Sequence, residues 1–234
     1  MRLCLIVALV VAPSVSAAAQ VGYLPTQSPF REIEHASFLE ATGGHLSGGG
    51  GLLNLGPRDG TSAGLRWVIR GKNTLQVSFG AWTANTKRSQ IDPHDSVATR
   101  DKGLIDQRLL AVELGIHLNV TGGKTWHGLA PYAGIALGLV HGQASPASDT
   151  SNYSFGTKVY FAPTIGTRLF AGQRLYLKAD VRALFWKLDY PASYAQEPAK
   201  QPGTTAQPNA VNPTGLTSQY TVTPEIRIGI GIVP

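Results

Sequence analysis

The sequence predicts an all-β chain: an up-and-down antiparallel transmembrane β-barrel of eight strands. Three observations predict it. Apolar and polar residues alternate with period two in eight segments, the connections between segments are alternately short and long, and the strand charges collect on one parity. Composition agrees. Of 234 residues 15% are charged and 43% hydrophobic, with 27 Gly and 15 Pro, whereas an average chain carries roughly 25% charge. Disorder needs more charge, and a coiled coil needs more Ala, Glu, Lys and Leu.

Residues 1–19 read as a secretory signal peptide. Met1-Arg2 gives a positive start, Leu3 to Ala12 is an unbroken apolar run, and Ser14 to Ala19 supplies small residues for cleavage. Cleavage after Ala17 or Ala19 fits this pattern, and the favoured site, after Ala19, makes Gln20 the first mature residue. Residues 20–31 are then a periplasmic N-terminal segment and 32–234 the barrel domain. The single Cys, Cys4, lies in the apolar run, so the mature chain has no thiol for a disulfide or a metal. No later stretch reaches the ~18 apolar residues of a spanning helix.

The strands follow in order at about 32–46, 61–70, 74–86, 107–120, 129–141, 154–170, 175–187 and 221–232. The first two alternate least cleanly. In the third, Leu75, Val77, Phe79 and Ala81 oppose Gln76, Ser78, Gly80 and Trp82. In the fourth, Leu110, Val112, Leu114, Ile116 and Leu118 oppose Ala111, Glu113, Gly115, His117 and Asn119. The last sets Val222, Pro224, Ile226, Ile228, Ile230 and Ile232 against Glu225, Arg227, Gly229 and Gly231. Such alternation marks strands with two unlike faces. Ten strands result if 191–218 hides a hairpin. Pro131, Pro163 and Pro224 fall on the apolar parity inside strands, where bulges or strand ends are expected.

Connections after strands two, four and six are short (71–73, 121–128 and 171–173). Those after strands one, three, five and seven are long: roughly 47–60, 87–103, 142–153 and 188–218. Short turns at one end and long loops at the other are the pattern of a bacterial outer-membrane barrel. The charged parity holds Glu34, Glu40, Arg66, Glu113, Lys158, Arg168, Lys178, Asp180, Arg182, Glu225 and Arg227, six cations against five anions. An eight-stranded barrel is just wide enough for side chains to fill it. A charge-paired, plugged lumen with the apolar face turned to lipid is therefore expected. Trp67 and Trp126 at the short-turn end, with Phe155 and Phe185 at the other, are candidates for aromatic girdles.

The chain resembles the small outer-membrane barrels of the OmpA/OmpX/OmpW-like group from about residue 30 to 234, notably in Ala130-Pro131-Tyr132-Ala133-Gly134-Ile135-Ala136-Leu137-Gly138. It departs from them at its end, Ile230-Gly231-Ile232-Val233-Pro234, which lacks their usual terminal aromatic. The resemblance implies a monomer whose partners are outer-membrane lipids, lipopolysaccharide and the outer-membrane assembly machinery, with no cofactor.

The function this supports is a non-enzymatic barrel with a structural or surface-interaction role through its long loops. A narrow channel is one alternative, and a soluble lipocalin-like binder a minor one. A lipid A-modifying enzyme is another, because His35-Ala36-Ser37 matches the His-x-Ser pair that the resemblance attaches to a barrel deacylase, with Glu34 or Glu40 near. Asp92-Pro93-His94-Asp95 with Asp101 and Asp106 could hold a divalent cation, but a solvated loop is the plainer reading. Thr121-Gly122-Gly123-Lys124-Thr125 lacks phosphate-loop spacing and is a turn. Arg58, Lys87, Arg88, Arg100 and Lys102 border long loops, where they would meet lipid phosphates. The fourth long connection, with Pro198, Pro202, Pro208 and Pro213, is expected to be mobile. An exported chain without a basic aromatic surface is no nucleic-acid binder.

Overall fold

The computed structural model describes residues 28–71, 74–144 and 146–234. The proposed signal peptide, Gln20 and part of the turn at 72–73 lie outside them. Ten strands form: β1 Phe30–Glu32, β2 Ser37–Gly49, β3 Arg58–Arg70, β4 Leu75–Ile91, β5 Asp101–Asn119, β6 Lys124–Trp126, β7 Leu129–Gly142, β8 Thr157–Phe170, β9 Leu175–Asp189 and β10 Ser218–Ile232. Eight of them make the wall. β2 pairs with β3, β3 with β4, β4 with β5, β5 with β7, β7 with β8, β8 with β9 and β9 with β10, and β10 returns to β2, every pair antiparallel.

The register sets the tilt. A line drawn across the strands from Leu39 passes Trp67, Phe79, Leu114, Leu137, Phe161, Phe185 and Val222. Carried three residues past the pair Glu225–Leu46, it meets β2 at Gly49, ten residues above its start (49 against 39). A shear of ten in eight strands tilts them by about 40° for ordinary strand spacing.

The remaining two strands were hidden in expected turn and tail. β6 occupies the 121–128 connection and β1 the end of the N-terminal segment, and they pair with each other through Phe30–Trp126, Arg31–Thr125 and Glu32–Lys124. Trp126 turns back onto Leu129 through His127 (φ 50) and Gly128 (φ 83), the left-handed pair that a two-residue hairpin requires. The 191–218 connection holds a short 3-10 turn, Ala192–Ala195, in place of a hairpin.

The prolines behave differently from expectation. None sits in a bulge: the two register breaks lie at Leu46/Gly49 and Ser89/Ile91, at the long-loop rim. Pro224 lies just beyond the last β10–β2 pair, and Pro131 just beyond the last β7–β5 pair. The missing N–H of Pro224 therefore falls where β2 has left the ladder, whereas the Pro131 carbonyl still accepts from the Val120 N–H at 2.9 Å. At Pro163 the β8–β9 ladder is interrupted between Phe161–Phe185 and Thr164–Arg182 without a change of register.

Polarity is inverted relative to a soluble barrel. Leu65, Leu110, Leu137, Ile165 and Ile228 are each 60% exposed or more on the outside, within a continuous apolar belt far larger than monomeric soluble proteins display. On β10 that belt runs from Val222 to Ile232. Its eleven residues, at ~3.3 Å each and the tilt above, rise roughly 25 Å, the height of a lipid-facing band. Trp67 and Trp126 lie outside as expected, but Phe155 is buried within the barrel.

The interior has three tiers. At the short-turn end Ile33, Phe38, Val68, Ala130 and Tyr176 form an apolar floor, with Phe38 edge-on to Tyr176 at 5.2 Å. The middle is charged. At the long-loop end Leu46, Leu109, Val140, Leu184, Trp186 and Leu188 point inward and meet Leu55, Tyr153, Phe155, Tyr190 and Tyr194. Leu55 comes from the β2–β3 loop, Tyr153 and Phe155 from the loop before β8, and Tyr190 and Tyr194 from the loop after β9. The charge-paired plug expected from strand parity therefore occupies only the middle of the lumen.

Candidate functional site

Strand pairing assembles the middle tier. Glu40 lies across from Arg66 on β3, Asp180 across from Arg227, and Arg182 across from Glu225, so opposite charges meet directly. Arg168 and Lys178 also lie across from each other. That like-charge pair is repulsive alone, and both converge on Glu40: Lys178 Nζ at 2.8 Å and Arg168 Nε at 3.2 Å, with Arg66 Nη1 at 3.7 Å.

Glu113 is the second hub. It accepts from Arg182 Nη1 at 2.6 Å and Trp82 Nε1 at 3.1 Å, and from Arg66 Nη2. Arg182 also donates through Nε to Glu225. Asp180 accepts from Arg227 Nε at 2.8 Å and lies 3.1 Å from Lys178 Nζ. All nine ionised groups are buried. Such groups persist in a low-dielectric interior only when paired and hydrogen-bonded.

Each of the four carboxylates also accepts a hydroxyl. Tyr176 donates to Glu40 at 2.7 Å, Tyr160 to Glu113 at 2.6 Å, Tyr132 to Asp180 at 2.8 Å, and Ser62 to Glu225. Three of these donors share one construction. Tyr176 pairs across the strands with Gly231, Tyr160 with Gly138 and Tyr132 with Gly166. A Cβ on Gly231 would stand 2.1 Å from the Tyr176 ring, and one on Gly138 2.6 Å from the Tyr160 ring. The ring lies flat over the bare backbone opposite, covering the glycine, and its hydroxyl reaches the carboxylate beyond. The sequence reading missed these tyrosines. Their signal was present as Tyr and Gly on the charged parity.

Two expected members stand apart. Glu34 is exposed, in the segment between β1 and β2. There Ile33 turns inward into the apolar floor, which leaves its neighbour outside. Lys158 meets Asp189 at the long-loop rim, remote from the ring. Conversely Arg88, expected at a loop base, is buried and paired with Asp149.

The other candidates resolve differently. Ser37 opens β2 across from Ile69, and among the described residues no hydrogen bond joins it to His35. The acidic residues between β4 and the start of β5 bind protein groups: Asp92 accepts from the His94 N–H, Asp101 from the Gly103 N–H, and Asp95 from Lys102 and from Lys200 of the β9–β10 loop. No metal-holding cluster of three ligands occurs among the described residues. The loop 190–217 is packed, against expectation. Tyr194 is buried with its hydroxyl on the Ile91 carbonyl, Arg100 donates to the Asn209 carbonyl, and Gln201 accepts from the Val97 N–H. Glu197 is held below the usual carboxylate range by the N–H groups of Gly203, Asn209 and Ala210.

Asp95 is the electrostatic tie between these loops. Hydrogen bonds from Lys102 and Lys200 lower its pKa to about 2. A depressed carboxylate contributes above its ordinary value and loses that contribution as pH falls through the folded value. The tie therefore holds at pH 4 and releases only toward pH 2. Asp95→Asn is expected to speed trypsin cleavage after Lys200 at neutral pH, and unchanged cleavage would contradict the tie.

One seam of the wall pairs over only part of its length. β10 pairs with β2 only from Glu225 onward, and above it a cavity of about 370 Å³ lies between Gly49–Leu52 and Tyr220–Thr223, with Trp186 and Leu188 also lining it.

A closed, tilted eight-stranded sheet, apolar outside and charged within, is the geometry in hand. The outer membrane protein OprG from Pseudomonas aeruginosa is similar, with a TM-score of 0.52 over 88% of this chain and 98% of that one at 12% identity. The fold is that of a small outer-membrane β-barrel. Neisserial surface protein A gives a TM-score of 0.49 over 88% and 97% of the two chains at 14% identity. A major outer membrane protein from Thermus thermophilus gives 0.41 over 85% and 99% at 13%. At these identities the likeness concerns the fold alone. No protein-family model and no curated protein sequence matches the chain.

Proposed function

We propose that this outer-membrane barrel is a non-enzymatic, non-conducting protein, exported by residues 1–19, which presents its long loops at the cell surface. The observation that carries the reading is the tiered lumen. Four carboxylates and five cations bind one another between an apolar floor and an apolar roof. An ion crossing it would have to displace both buried charge pairs and packed aromatic side chains. The wall cavity does not offer a route, because the side chains of Trp186 and Leu188 that line it belong to the roof.

The loops form one tied surface: Asp95 joins the β4–β5 and β9–β10 loops, Arg88 reaches Asp149 in the β7–β8 loop, and Leu52 N–H donates to Gln219. Lipid is one partner, met by the belt. Lipopolysaccharide phosphates are another, met by Arg58 and Lys87, which remain exposed at the rim. Assembly machinery and a monomeric state complete the proposal. In planar bilayers the purified protein is expected to give no steady conductance. Reproducible single-channel steps would overturn the reading.

A further inference from the structure

We propose that the lumen holds one small monovalent anion, of chloride size, between Arg66, Arg168, His117 and Asn119. The proposal rests on the sealed lumen described above, and two independent features of that lumen carry it.

The first is charge. The middle tier contains Arg66, Arg168, Lys178, Arg182 and Arg227 against Glu40, Glu113, Asp180 and Glu225, one positive charge in excess. An uncompensated charge in a water-poor interior is costly. Loss of a proton from Lys178 would remove the excess, but Lys178 is bound to both Glu40 and Asp180 at 2.8 and 3.1 Å, so its charge is the one most directly used.

The second is a set of unpartnered donors. Arg168 Nη2, His117 Nδ1 and Asn119 Nδ2 are buried with no hydrogen-bond partner, as is Arg66 Nη1, whose ion-pair contact with Glu40 is 3.7 Å, and each residue is at most 6% exposed. His117 Nε2 faces Ser78 Oγ at 3.3 Å. With the hydroxyl donating to Nε2, the ring proton sits on Nδ1, which makes Nδ1 a donor.

Shared neighbours link these groups. Arg168 Nη1 reaches Asn119 Oδ1 at 3.4 Å. Arg168 lies 4.3 Å from the Tyr132 ring, and His117 stacks on that ring at 5.2 Å. Arg66 and Arg168 both reach Glu40. Gln76, across from His117, leaves its carbonyl oxygen unpartnered, and turning its amide adds a further donor. A water molecule would satisfy some of these donors but not the charge. A monovalent anion satisfies both, whereas a divalent one would reverse the excess.

The test refolds the full mature chain into detergent at constant ionic strength with sodium chloride or sodium gluconate, whose anion is too large for the site. Chloride is expected to raise the thermal midpoint of the folded form by about 2–4 °C. Asn119→Asp places a carboxylate at the site and is expected to abolish the difference. Crystals of the unaltered chain grown in bromide should show an anomalous peak within hydrogen-bond distance of Arg168 Nη2 and Asn119 Nδ2, a readout that does not depend on the variant folding.

Equal midpoints in the two salts, or no bromide peak, would overturn the proposal. A chloride effect that survives Asn119→Asp would overturn the location. Thiol protection of an Ala136→Cys chain, a buried inward position outside the site, in the same samples separates the two readings. A protected thiol without a chloride effect removes the anion and leaves the sealed lumen standing, whereas a reactive thiol removes both.

Discussion

Glu113→Ala is expected to destabilise the folded barrel by about 3–5 kcal/mol, the range for breaking a buried ion pair by removing one partner. The substitution leaves the Arg66 and Arg182 guanidinium groups without their shared carboxylate, and takes an acceptor from Trp82 and Tyr160. Urea titration of the refolded protein, followed by the heat-dependent gel shift, measures it. Glu113→Gln keeps an acceptor oxygen but not the charge, and should fall between the two. The rim offers the contrast: Asp189, which pairs with Lys158 but is more than half exposed, should cost at most about 1 kcal/mol when replaced by Asn. A Glu113→Ala midpoint equal to that of the unaltered chain would show that the ring contributes nothing to stability.

The second large effect lies on the opposite face. Leu114 points outward on β5, flanked by Val112 and Ile116 and lying across from Phe79 and Leu137. Leu114→Arg is expected to cost about 2–4 kcal/mol in a bilayer, as for a cation near the midplane of a lipid-facing band. The same change on a water-facing strand would be close to neutral and would improve solubility. Comparing urea midpoints in lipid vesicles for Leu114→Arg and for Asn85→Arg, an outward position near the long-loop rim, gives the depth dependence. Equal, small losses at both positions would place the belt in water.

What the sequence disclosed depended on how local the cause was. Period-two alternation in β5 and β10 follows from the pleat alone, so both faces were assigned correctly from Leu110–Leu118 and Val222–Ile232. β1 and β6 escaped because three residues carry no period, and their pairing depends on bringing Phe30 next to Trp126 across 95 intervening positions. Strand ends at the long-loop rim were also underestimated. β4 runs to Ile91 and β5 begins at Asp101, because ordered loops above the membrane continue the ladder into polar sequence.

The lumen was legible as charge and silent as packing. Glu40, Arg66, Glu113 and Arg182 announce themselves on one parity. That parity also carries Leu46, Leu109, Val140 and Trp186, whose joint role as a roof requires the loops to fold back over them. Glu34 looked equivalent to Glu40 by counting, but the strand does not begin until Ser37. The prolines of the loop 190–217 suggested mobility. The Glu197 carboxylate gathering three N–H groups and Tyr194 anchored to Ile91 are tertiary effects that composition does not encode.

Because the proposed mature chain contains no cysteine, single thiols report without background. Ser78→Cys and Ala136→Cys place small thiols on the inward face of β4 and β7, where both positions are buried, and Thr99→Cys places one on an exposed loop. Reaction with a charged, water-soluble methanethiosulfonate in folded proteoliposomes tests most directly whether the lumen is packed. The expected result is rapid modification at position 99 and none at 78 or 136 until urea unfolds the barrel. Modification at 78 and 136 at the loop rate in the folded state would mean a water-filled lumen, and would contradict the closed, charge-paired interior.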